Sequence, residues 1–147
     1  MDSRCVMYPG SASPLFHFIG RQLEAAGREV VTAGLGVPPG EASMVVAFGE
    51  ACQLAAAVPN TPGVWLSPDF GDDATAQALA ASSGPGLVVG SFLDPGWDRA
   101  AAARLRQFEI LQVPHVDRHF EVIGDPAATL QVYARIIERV AALVRRL

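Results

Sequence analysis

Three histidines, His17, His115 and His119, are the side chains of this sequence whose ordinary charge change falls near neutral pH. The carboxylates that could work with one of them are Glu50, Asp69, Asp94 and Asp117. A histidine held by a carboxylate does general acid/base chemistry. His119 is the first choice for that role. His115, four residues earlier on the same turn, is the rival, with Asp117 as its surface partner. His17, near the first turn of a helix, reads as a packed residue. Candidate nucleophiles are few. Cys5 and Cys52 have neither disulfide-framework nor metal-ligand spacing, and their apolar surroundings make them buried free thiols. Ser13 precedes Pro14 and reads as a helix cap, which leaves Ser11 in the same turn. Gly49, where an apolar run passes straight into an Ala-rich one, has no side chain at all. Glu50 beside it is either a second acid/base group or a favourable charge at a helix N-terminus.

Strand and helix patterns that must position these residues alternate along the whole sequence. Strands are expected at Cys5–Tyr8, Glu29–Ala33, Met44–Phe48, Gly63–Leu66, Gly86–Gly90 and Phe108–Val113. Between them lie a helix opened by Ser13-Pro14 and ended by Gly27, with the stripe Leu15, Phe18, Ile19 and Leu23. A helix from Glu50 to Val58 follows, then one capped by Asp72 or Asp73 and one from Arg99 to Arg106 capped by Asp98. Asp125-Pro126 opens the longest helix, whose apolar stripe is Leu130, Tyr133, Ile137, Val140 and Val144. Short apolar strands alternating with helices predict a single α/β domain, a three-layer sandwich around a six-stranded, mostly parallel sheet. Ligands on such sheets bind beyond the carboxyl ends of the strands. That edge would carry Pro9 to Ser13, Gly34 to Val37, Gly49-Glu50, Ser67 to Phe70, Ser91 to Asp94 and His115 to His119.

The totals bound the function. Over 147 residues, a hydrophobic half and 18% charged residues describe a folded chain with a substantial core. A net charge of −4 argues against a nucleic-acid surface. There is no signal-peptide pattern and no apolar run of the ~18 residues that cross a membrane, so the expected location is cytoplasmic. Gly34-Leu35-Gly36 lacks a third glycine and a following helix, which excludes a dinucleotide loop. No cofactor and no metal site are expected.

Four segments resemble the α/β-hydrolase superfamily, in particular its small, lidless, dienelactone-hydrolase-like members. Val6 to Ser11 looks like the strand and turn that supply one oxyanion-hole amide. Val46 to Cys52 looks like the nucleophile elbow, G-x-S-x-G, here reading Ala47-Phe48-Gly49-Glu50-Ala51. Leu87 to Pro95 looks like the turn delivering the triad acid, and Val113 to Glu121 the turn presenting the triad histidine. Elbow, acid, histidine is the family's own order. The resemblance implies a hydrogen-bonded pair of Asp94 and His119, with Asp69 as an alternative acid. It also implies an oxyanion site from the amides around Ser11 and Glu50, and a pocket walled by Phe92 and Trp97. The family's first two strands are missing, as is the helix usually found before the elbow strand.

Serine-type acyl transfer needs an oxygen or sulfur at the elbow, and Gly49 provides neither. Either the open space over Gly49 is used, or glycine has drifted into a strained position that favours it. The leading expectation is an atypical enzyme. His119 would do acid/base chemistry (elimination, dehydration, isomerisation or cyclisation) on a small apolar carbonyl substrate, with a setting in secondary metabolism by analogy. The alternatives are an inactive hydrolase-like protein that binds a ligand or partner, and a hydrolase using His-activated water or a displaced Ser11 or Cys52. Ile136, Leu143 and Leu147 widen the apolar face of the last helix and suggest a homodimer through it.

Overall fold

Residues 3–11 and 14–147 are described by a computed structural model. The elements are β1 (Arg4–Tyr8), α1 (Pro14–Ala25), β2 (Glu29–Thr32), β3 (Met44–Phe48), a 3-10 helix (Gly49–Ala57), β4 (Gly63–Leu66), α2 (Asp73–Ala81), β5 (Gly86–Ser91), α3 (Arg99–Ala103), β6 (Glu109–Val113) and α4 (Pro126–Arg145). All six strands are parallel, in the order β2-β1-β3-β4-β5-β6. Their carboxyl ends therefore share one edge. The expected cap Ser13 lies outside the described residues.

Side chains alternate across the sheet with period two, which gives two cores. Met44, Val46 and Phe48 of β3 face α1 and α4, together with Val64, Leu66, Leu87 and Val89. Val45 and Ala47 face the other way, toward Cys52, Trp65, Leu79 and Val88. Helices thus cover both faces, as a parallel sheet requires. The Trp65 ring is wholly buried. It lies over Gly63, two residues earlier on the same face, where a Cβ would come within 2.3 Å of the ring.

Three aspartates cap helices as their spacing predicts: Asp72, Asp98 and Asp125 each accept backbone N–H groups of the first turn. Asp125 takes the amide of Ala128 at 3.0 Å. Asp125→Ala is expected to lower unfolding free energy by about 1 kcal/mol, read as a lower urea midpoint at unchanged slope.

Several boundaries differ from the pattern-based expectation. The run after β3 is a 3-10 helix rather than an α-helix. Nine residues rise ~18 Å at ~2.0 Å each, against ~14 Å as α-helix, and the five-residue β3 that they follow is ~16 Å long. The tighter helix covers that return in a short connection. The α3 helix stops at Ala103, not Arg106, because the chain turns there to bury Leu105 and Phe108. In α4 the buried stripe is Tyr133, Ile136, Val140 and Leu143, while Leu130 is exposed and Ile137 and Val144 are half-buried. Ile136 and Leu143 therefore pack against the sheet, and of the residues that suggested a dimer face only Leu147 stays exposed. In α1, Phe16 takes the inward place expected for Phe18. Among the described residues no helix is long and apolar enough to cross a membrane.

Candidate active site

Phe48, the last residue of β3, organises the carboxyl edge. Its ring meets Phe16 of α1 edge-on at 6.2 Å. The His119 ring stacks on it at 5.3 Å with an interplanar angle of 23°, and the Arg118 guanidinium lies 5.4 Å from its centre. The loop after β1 also touches it: a Cβ on Gly10 would lie 3.3 Å from the Phe48 ring. That loop brings Ser11 to His119, where Oγ and Nε2 are 3.0 Å apart.

Directly after Phe48, Gly49 has φ +63°, a left-handed conformation that favours glycine. The chain therefore turns sharply from strand to helix at a residue without a side chain. The first amides of the following helix, Glu50 among them, have no acceptor within the helix and open at the same edge. The Glu50 side chain is exposed and lines a cleft of about 180 Å³ with Tyr8, Leu35 and Phe48. Burial raises the Tyr8 phenol above its ordinary value, with Arg4 opposing. It remains a neutral donor, bonding Val37 O at 2.6 Å and holding the loop before β3 to the sheet.

The turn from Val116 to Glu121 is built by its own residues. The Asp117 carboxylate accepts the amides of His119 at 2.9 Å and Glu121 at 3.1 Å. Phe120 sits at φ +64°, held there by complete burial. From the sheet, the buried hydroxyls of Ser91 and Ser67 donate to the carbonyls of Val116 and Arg118. Asp117 is thus a turn builder, not a partner for the exposed His115.

Two expected roles need correction. Asp94 is buried, but its Oδ1 accepts the amide of Gly96 at 3.0 Å. No hydrogen bond joins it to His119 among the described residues, because the carboxylate closes its own turn instead. Asp69 does the same with the amide of Gly71 at 2.8 Å. The ring nitrogen of His119 that has a partner faces Ser11, and the ring plane is set by Phe48. The pocket expected between Phe92 and Trp97 does not form beside His119 either. Trp97 packs on the opposite face, over Gly90 and against Phe70, with its Nε1 donating to Gln112. Phe92 is exposed beneath the Arg99 guanidinium. Each turn residue follows the register of its strand, so the two aromatic side chains flanking the acid are sent away from the histidine.

Cys52 is excluded as a displaced nucleophile. It is fully buried, its thiol faces the carbonyls of Ala47 and Leu66 at 3.6 Å, and desolvation pushes its pKa far up. Thiol reagents at pH 8 are expected to leave Cys52 unmodified in the folded chain and to react once it is denatured. Mass spectrometry of the peptide checks this, and labelling at native rates would contradict the buried placement. His17 is exposed on α1 and lines a cleft with Met7, Pro9 and Arg21. Among the described residues no group of His, Cys, Asp and Glu could hold a metal ion.

Phe48 and Arg118 are the site residues that sequence reasoning passed over. Both stood inside motifs already singled out, Phe48 as the residue before the elbow glycine and Arg118 as the neighbour of His119.

No protein-family model and no curated protein matches the chain. Among solved structures it is similar to the esterase domain of a Rhodothermus marinus protein, with a TM-score of 0.68 and 11% identity over 98% of this chain and 87% of that one. It is also similar to Est1E from Butyrivibrio proteoclasticus, with a TM-score of 0.69 and 9% identity over 98% of this chain and 89% of that one. At such identities the likeness establishes the fold alone, and the fold is that of the α/β-hydrolase-like esterases.

Proposed function

We propose that this chain is an atypical enzyme of the α/β-hydrolase-like fold in which His119 does general acid/base chemistry on a small carbonyl compound. The observation that carries this reading is the 3.0 Å contact between His119 Nε2 and Ser11 Oγ beside an elbow without a nucleophile. The imidazole accepts a proton from carbon next to the substrate carbonyl. The developing enolate oxygen is stabilised by the elbow amide of Glu50, and the proton is returned at the same or another carbon. Ser11 is the hydroxyl through which His119 exchanges protons with substrate or water. Isomerisation, dehydration, elimination and cyclisation share this first step and need no covalent intermediate. By analogy we place the reaction in the cytoplasm, among tailoring steps of secondary metabolism.

Exchange of α-hydrogens for deuterium in a panel of enolisable ketones, followed by proton NMR in D2O, tests the reading. Exchange above the uncatalysed rate that depends on His119 supports it. No such exchange with any of the panel removes it, and an inactive binding protein becomes the better description.

The same Ser11–His119 contact favours a second reading, acyl transfer by a displaced serine. A fluorophosphonate probe separates the two. Covalent labelling at Ser11, lost in His119→Gln, would favour the nucleophile. An unlabelled protein that still exchanges α-hydrogens favours the relay.

A further inference from the structure

Arg118 occupies the place of the elbow's attacking side chain. A Cβ built on Gly49 would lie 2.9 Å from Nη2 of Arg118. The guanidinium and the His119 ring both lie against Phe48, at 5.4 Å and 5.3 Å from its ring centre. A cation and a proton acceptor from adjacent residues thus meet the same ring, and the cation reaches Gly49, which has no side chain.

The arm is rooted in a rigid turn. Buried Ser67, itself at φ +49°, donates its hydroxyl to the Arg118 carbonyl, and Asp117 fixes the next amide. Among the described residues no carboxylate pairs with the guanidinium. The Asp117 carboxylate is taken up by the backbone, and the ion pairs among the described residues join Glu109 to Arg139 and Arg146. A guanidinium offers a planar pair of N–H donors that fits a carboxylate and does not itself deprotonate. Glu50, exposed and directly after Gly49, opposes a doubly charged ligand more than a singly charged one.

We propose that Arg118 makes this the site of a small carboxylate-bearing carbonyl compound, an oxo acid. Arg118 grips its carboxylate over Gly49 while the reacting carbon lies within reach of the Ser11–His119 pair. This rests on the acid/base reading above and narrows its small carbonyl compound to a monoanion. A side chain at Gly49 would press on the guanidinium, and the φ of +63° there already favours glycine.

Levulinate and its methyl ester are suitable probes, titrated into the 15N-labelled full chain while the amide signals of Gly49 and His119 are followed. Levulinate is expected to shift both signals. Its affinity should fall about tenfold or more in Arg118→Gln and recover in part in Arg118→Lys, with dispersed spectra and unchanged melting midpoints showing intact folds. Methyl levulinate should bind more weakly than levulinate and be indifferent to the Arg118 substitutions. Four results would each overturn the assignment: no shift with levulinate, equal affinity of wild type and Arg118→Gln, equal binding of the ester, or inorganic phosphate binding more tightly than levulinate. His119→Gln keeps the two proposals apart. Arg118-dependent levulinate binding without His119-dependent α-hydrogen exchange removes the acid/base reading and leaves the anion site. Exchange confined to neutral ketones does the reverse.

Discussion

His119→Gln is expected to lower turnover of an exchangeable carbonyl substrate by about 10²–10⁴-fold, the usual contribution of a positioned general acid/base. Glutamine keeps a planar polar group against Phe48 and leaves the backbone bond from residue 119 to Asp117 untouched. The melting midpoint should therefore move little, and the loss should fall on kcat. Ser11→Ala removes the relay but not the base, so its effect should be several-fold smaller. Asp94→Asn should act mainly on stability, because the Asp94 carboxylate bonds the amide of Gly96 and not the imidazole. Steady-state kinetics of the three variants beside their thermal unfolding curves decide the matter. A fully active His119→Gln enzyme would remove His119 from the chemistry.

Trp65→Ala should be among the most damaging single changes to the fold. Trp65 is wholly buried on a central strand and fills the space left by Gly63. Large-to-small changes at such sites cost about 3–5 kcal/mol, which lowers the melting midpoint of a domain this size by roughly 10 °C. Its indole N–H has no hydrogen-bond partner, and burying an unpaired donor itself carries a cost. Trp65→Phe discards that donor along with part of the ring, so it should lose less than half of what alanine loses. Equal losses in the two variants, by chemical or thermal unfolding, would show that the N–H is satisfied in solution.

The parts of this fold legible in the sequence were those written in short-range chemistry. The β3 and β4 bounds follow from apolar runs closed by glycine and proline, and the Asp72, Asp98 and Asp125 caps from their spacing to the helices. Less legible were choices settled by contacts distant in sequence. Ile136 and Leu143 of α4 turn inward in preference to Leu130 and Val144 because the sheet face, not the helix's own periodicity, fixes the rotation. The site divides in the same way. The strand-to-helix turn at Gly49 and the loop that carries His119 could be placed from local motifs. The partner of His119 could not, because Asp94 had a backbone amide two residues away to satisfy it. Arg118 carried no reading of its own in the sequence, because Gly49, which its guanidinium approaches, lies 69 residues earlier in the chain.

Because every neighbouring pair in the sheet is parallel, there is no hairpin from which folding could start. The first strand sits between β2 and β3, and its register with β3 pairs Cys5 with Met44. During synthesis β1 emerges first, yet it acquires its flanking partners only after a long stretch of chain has followed it. The ladder bonds therefore wait on large loop closures, which puts this chain on the slow side of the relation between contact order and folding rate. Until β3 arrives, the apolar β1 has one neighbour at most, and the interval before that closure is when the chain is most exposed to pairing with another copy.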